Sequence, residues 1–152
     1  VYKGYCSDLT RPLFLDIIKN NFKEGVRAQL SFEFKGKYGK IYETVRKAQR
    51  AAIEKIGPGV KCSSIDSAAR KVIARAGLGD YFIHRTGHGV GLDVHELPWV
   101  EGNSKQVLKP RMVLTVEPGV YIPGFGGVRI EDMVLVTKKG YEVLTNTNGF
   151  GI

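Results

Sequence analysis

From residue 38 to residue 56 apolar side chains recur every three or four positions, at Ile41, Val45, Ala48, Ala52 and Ile56. That spacing predicts an amphipathic helix, which Gly57-Pro58-Gly59 ends. A second helix is predicted over 64–76. Ile65, Ala69, Val72 and Ala76 form its stripe, Ser63 with Asp66 fits a capping box, and Gly77 follows as C-cap. Beyond a glycine-rich bend at 81–96, residues 112–117, 128–136 and 141–144 read as strands. Pro118-Gly119, Pro123 to Gly127 and Lys138-Lys139-Gly140 separate them. Residues 1–15 read as extended chain or a hairpin arm, with Pro12 at an edge or bulge. Residues 16–37 lack clean periodicity and read as a loop with one short helical or strand piece. Helices grouped before strands, without βαβ alternation, predict an α+β domain. Glycine usage agrees, because 13 of the 19 lie from Gly77 onward, in the turn-rich half.

The chain has 152 residues, enough for one hydrophobic core. Its longest apolar run is four residues, Met133 to Val136, so no membrane span is expected. Cys6 and Cys62 form no CxxC and have no nearby histidine, which argues against a disulfide scaffold or zinc knuckle. Both read as inert. Together with the lack of a secretory signal pattern, they lead us to expect a cytoplasmic setting. The net charge of +8 raises the question of nucleic acid, but no basic stripe with interleaved aromatics is present. Residues 15–50 supply nine basic and four acidic side chains, the pattern of a solvated surface. No nucleic-acid partner is expected.

Candidate chemistry gathers in the second half. All three histidines, His84, His88 and His95, fall within twelve residues. Glu117 ends the apolar run MVLTV, and Glu131 interrupts VRI-E-DMVLV. An unpaired carboxylate within a strand is expensive to bury, and a cation compensates it well. Asp8 is a third carboxylate in an apolar context. One imidazole with several carboxylates suits manganese, iron, cobalt or zinc. Blander readings stand beside this one. A strand glutamate ordinarily faces solvent at an edge, Asp8 could close a turn, and Arg129 could form a structural pair with Glu131 or Asp132. Gly87, Gly89 and Gly91 argue against an HExxH-like helix through His84 and His88, and GHGVG lacks the spacing of a phosphate-binding loop.

The segments HRTGHGVGLDVHELPWV and LKPRMVLTVEPGVYIPGFGGVRIEDMVLVT contain a His-x-x-x-His-Gly-x-Gly bend and a further histidine seven residues on. Val-Glu-Pro-Gly and Arg-Ile-Glu-Asp follow. In these motifs the chain resembles the pita-bread metallopeptidases, and within them the Xaa-Pro aminopeptidases and Xaa-Pro dipeptidases (prolidases). The resemblance reappears at YKGYCSDLTR. It implies a pita-bread fold and a centre of two divalent metal ions, manganese first among the candidates. Asp8, His88, Glu117 and Glu131 would be ligands. Glu117 would also shuttle a proton, His84 and His95 would donate hydrogen bonds to substrate or oxyanion, and Arg129 would orient Glu131. The implied substrate is a peptide with proline at its second position, and the implied full-length assembly a homodimer.

A histidine four residues before the ligand histidine, and the Arg-Ile-Glu-Asp strand, favour the proline-directed members over methionine aminopeptidases. A non-catalytic binding module on the same fold is the other alternative. The family's first metal aspartate would fall upstream of Val1. The chain is therefore expected to be the C-terminal part of a single catalytic domain, inactive alone. Residues 15–37 are expected to be an insertion or irregular segment, and Pro12 stands where the family usually has threonine.

Overall fold

In the computed structural model, which describes residues 24–145 with side chains from residue 36 onward, helix α1 (Glu24–Ile53) and helix α2 (Cys62–Arg75) pack together against a sheet. The α1 stripe is as expected. Ile41, Val45, Ala48 and Ala52 are buried, and Ile56 joins them just past the helix end. Each large aliphatic side chain so buried stabilises the fold by about 1.5–3 kcal/mol. Residues 24–37, expected to be mostly loop, belong to α1. The lack of a clean apolar period over these residues obscured this, and Gly36 costs about 1 kcal/mol in a helix relative to alanine. A tertiary tie offsets that cost: the Tyr38 hydroxyl donates to the Phe125 carbonyl at 2.8 Å, and the two rings stack at 4.4 Å.

Helix α2 starts earlier than predicted, and the Ser63–Asp66 capping box does not form. Lys61 is the N-cap, with no side-chain bond. Asp66 points inward and accepts hydrogen bonds from Arg70 and Thr86, partners worth more to a buried carboxylate than a helix cap. The buried stripe is Ile65, Ala69 and Ile73, whereas Val72 is half-buried and Ala76, beyond the last turn, is exposed. Gly77 does terminate the helix. At φ +73° its N–H bonds the Ala74 carbonyl, while the Leu78 N–H bonds that of Ile73, a Schellman closure.

Seven strands follow: β1 (Gly87–Gly89), β2 (Glu96–Val100), β3 (Val113–Val116), β4 (Gly119–Ile122), β5 (Gly126–Arg129), β6 (Asp132–Val136) and β7 (Tyr141–Val143). An antiparallel five-stranded sheet runs β2-β1-β3-β6-β7, and β4 pairs with β5 in a separate hairpin. The run 128–136, predicted as one strand, is two. The chain leaves one sheet after Arg129 and enters the other at Asp132, so Ile130 and Glu131 form the corner. Strand β2 was unforeseen because it contains Pro98. As an edge strand it tolerates the missing donor. β3 and β6 pair Leu114 with Val134, Thr115 with Met133, and Val116 with Asp132. Leu114, Val116, Val134 and Val136 are buried in the same core as the helix stripes.

The class is therefore α+β, as predicted. Among the described residues no helix is long and apolar enough to cross a membrane. Asp8, Pro12 and Cys6, and the extended reading of 1–15, lie outside the described residues. Cys62 is buried with a free thiol that burial pushes up from its ordinary pKa, consistent with an inert role.

Candidate metal centre

Glu117 follows the last residue of β3 and Glu131 precedes the first of β6. Since Val116 faces Asp132, the ladder places these two glutamates opposite each other and on one side of the sheet. Strand β1 pairs Gly89 with Leu114, which sets His88 beside Thr115 on that same side. His88, Glu117 and Glu131 thus each offer a ligand atom, all within 4.8 Å of one another, the one such group among the described residues. All three are buried, Glu131 to 1 % exposure. The expectation that a strand glutamate faces solvent fails here, because Glu131 sits at the corner between the two sheets. Like charges opposite one another on a ladder are destabilising, so a pair of carboxylates here calls for a cation or a proton.

Hydrogen bonds orient the set. The Thr115 hydroxyl accepts the His88 backbone N–H at 3.0 Å and donates to Glu117 Oε1 at 3.2 Å. His88 Nδ1 lies 3.0 Å from the Gly89 carbonyl, which can only accept, so Nδ1 carries the proton. Nε2 is then a lone pair facing Glu117 Oε1 at 3.1 Å. Two acceptors at that distance need either a second ring proton or a cation. This donor set, one imidazole nitrogen with carboxylate oxygens, suits a divalent ion. Burial pushes the Glu117 carboxyl up, but without an ion a second ring proton on His88 Nε2, by its hydrogen bond and charge, then Arg129 and Thr115, outweigh it and hold it below the usual glutamate range. Arg129 Nη1 is 3.8 Å from Glu117 Oε2.

A cleft of about 330 Å³ opens onto this cluster, lined by His84, Arg85, His88, His95, Trp99, Glu117 and Arg129. The His95 ring lies 4.3 Å from that of His88. His84 gives its Nδ1 proton to the Arg85 carbonyl at 2.7 Å and accepts from the Tyr121 hydroxyl at Nε2, 3.1 Å away. Burial lowers its pKa. Arg85 stacks on Trp99, its guanidinium 4.2 Å from the ring centroid. Of the residues singled out in sequence, the structure brings together His84, His88, His95, Glu117, Glu131 and Arg129. It adds Thr115, Tyr121, Arg85 and Trp99, none of which the sequence reading marked. For Thr115 a signal existed: in VLTVE it shares the strand face of Glu117.

A five-stranded antiparallel sheet backed by two helices carries a buried His-Glu-Glu cluster at the end of its central strand, a donor set of the kind that can hold a divalent ion. The family model described as metallopeptidase family M24 matches residues 1–138, and the chain belongs to that family. The Xaa-Pro dipeptidase of Lactobacillus helveticus is 51% identical over 148 residues, 97% of this chain and 36% of that protein. Among solved structures, the prolidase from Pyrococcus furiosus aligns at TM-score 0.80 and 44% identity, covering 97% of this chain and 39% of that one. The Xaa-Pro dipeptidase from Bacillus anthracis aligns at 0.81 and 40%, covering 99% and 38%. The fold is that of part of a pita-bread domain, and the chain spans less than two-fifths of the length of the curated relatives it matches.

Proposed function

We propose that the chain is the C-terminal part of a single catalytic domain of a metal-dependent exopeptidase that hydrolyses Xaa-Pro bonds, its substrate a peptide with proline at the second position. One observation carries this reading: His88, Glu117 and Glu131, from separate stretches of sequence, converge as buried ligand atoms within 4.8 Å of one another. By its match in sequence to the family's bridging aspartate, Asp8 is proposed as a further ligand. These four would hold two divalent ions together with the family's first aspartate. Manganese is the first candidate, and cobalt, zinc and iron suit the same oxygen-rich donors. Such a pair, when bound, acidifies water and polarises the scissile carbonyl.

The remaining steps fall to side chains. Glu117, ionised at neutral pH, takes the proton of the attacking water and returns it to the leaving nitrogen. Arg129, its Nη1 3.8 Å from Glu117 Oε2, holds the orientation of that carboxylate. His95, on the cleft rim, donates to substrate. His84 has committed its Nδ1 proton to the Arg85 carbonyl, so it donates to the developing oxyanion only in its doubly protonated form. A homodimer of the longer protein and a cytoplasmic setting belong to the same proposal.

Metal content and Xaa-Pro cleavage test it, measured on the 152-residue chain and on a chain extended upstream through the first aspartate. The shorter chain is expected to bind fewer than two ions and to be inactive, and the longer to bind two and cleave. Equal, full activity in both refutes the role given to the upstream ligand. Activity surviving Glu117→Ala in the extended chain refutes the mechanism.

A further inference from the structure

We infer that Asp66 and Arg70, neighbours on α2, are positioning residues that set where His84 stands in the cleft. The inference rests on the peptidase reading for the task of His84, but on geometry alone for the clamp. Asp66 is fully buried and accepts from Arg70 Nε at 2.7 Å and from the Thr86 hydroxyl at 2.7 Å. Arg70 spends its other nitrogens on the same turn: Nη1 donates to the Phe82 carbonyl at 3.0 Å and Nη2 to the His84 carbonyl at 2.6 Å. Its guanidinium lies over the Phe82 ring at 4.3 Å. The turn 82–86 is thereby gripped at Phe82, His84 and Thr86, while Ile83 between them is 75 % exposed. The far end reaches the proposed base, since the Thr86 carbonyl accepts the Glu117 N–H at 2.8 Å.

A turn that merely joined α2 to β1 would gain more from apolar contact than from a carboxylate taken out of water. A planar guanidinium that reads two carbonyls fixes both position and angle. That is what a side chain aimed at a reacting group requires, because a displacement near 1 Å can cost about a hundredfold in rate. The His84 ring is set between the Arg85 carbonyl and the Tyr121 hydroxyl, so any shift of the turn carries the ring away from Tyr121.

The test uses Arg70→Lys, which keeps the charge and loses the fork. In the extended, metal-loaded chain we expect kcat to fall about tenfold or more, with KM and metal content little changed. In a His84→Ala background the same substitution should cost less than about twofold further, because Arg70 itself bonds the turn only at Phe82 and His84, while Asp66 still holds Thr86, whose carbonyl meets the Glu117 N–H. In the 152-residue chain without metal, the His84 imidazole nitrogen signals should shift in Arg70→Lys and not in Arg46→Ala, which alters an exposed pair with Glu43. If Arg70→Lys does not fold, Asp66→Asn, which keeps the clamp's shape and removes its charge, carries both arms. Wild-type kcat, full multiplicativity with His84→Ala, or unmoved His84 signals would overturn the inference. A wild-type extended chain that fails to cleave Xaa-Pro peptides sinks the functional reading instead, and the imidazole signals still decide the clamp.

Discussion

Replacing Thr115 by valine removes one oxygen from the middle of the cluster while keeping a β-branched side chain of the same shape. Thr115 is fully buried, accepts the His88 N–H and donates to Glu117. A buried backbone donor deprived of this acceptor costs about 1–3 kcal/mol, and Glu117, which keeps His88 and Arg129, loses about 1 kcal/mol more. Burying a methyl in place of the hydroxyl returns about 0.8 kcal/mol. The net expectation is a loss of about 2 kcal/mol, read as a lower urea midpoint at unchanged slope in the metal-free chain. A second readout is independent of the first. The folded-state pKa of Glu117 is depressed, so its contribution to stability is present above the ordinary carboxylate range and is lost as pH falls through the folded value. Thr115 is one cause of that depression, so the variant should lose stability less steeply below about pH 5. An unchanged midpoint, or a lowered midpoint with an unaltered acid slope, would refute the reasoning.

Further outcomes are expected from single substitutions and from titration. Glu131→Gln should weaken metal binding by more than about a hundredfold in calorimetric titration, since even outer partners of ligands cost 10–100-fold. The same variant should leave the metal-free chain equally stable or up to about 1 kcal/mol more stable, because a like charge facing Glu117 is gone. Gly87→Ala and Gly77→Ala should differ sharply in urea denaturation. A Cβ at Gly87 would run into the Thr115 carbonyl, whereas at Gly77 it meets open space and costs only the left-handed backbone, about 1–2 kcal/mol. His84 should titrate below an exposed histidine by NMR. Because burial depresses its folded value, the unfolded chain binds more protons just below about pH 6.5 and stability rises with pH there, a slope that His84→Gln should remove.

The helices were legible because their signals are local. The stripe from Ile41 to Ile56 needs only a period, and Gly77 needs only a left-handed φ. The start of α1 was not legible, since 24–37 lack a clean apolar period, Gly36 weakens helix propensity, and the tie that compensates, Tyr38 to Phe125, spans 87 positions. Asp66 looked like a cap for the same reason, its true partner Thr86 lying twenty residues on. The ladder partners of the 128–136 run are equally distant, so its apolar pattern could not show the change of sheet at Ile130 and Glu131. At the site the residue types that carry chemistry were visible as anomalies, two glutamates on strands and three clustered histidines. The groups that orient them, Thr115 and Tyr121, are ordinary strand residues whose task exists only once β1, β3 and β6 are in register.

That register links the core to the site. Along β3, Leu114 and Val116 enter the helix-backed core while Thr115 and Glu117 take the other side, and on β6 Val134 and Val136 alternate in the same way. A slip of one residue between β3 and β6 would turn Val134 and Val136 out of the core and part Glu117 from Glu131. Two buried valines are worth about 3–6 kcal/mol together. Repulsion between the facing buried carboxylates is relieved when one takes up a proton, so it does not reverse that preference. Apolar burial therefore holds the acidic side chains together without an ion, and under the proposed function a cation would meet groups whose spacing the strand pairing has already set. Substitutions in the helix-facing row, such as Val134→Ala, should accordingly weaken metal binding although no ligand has been touched.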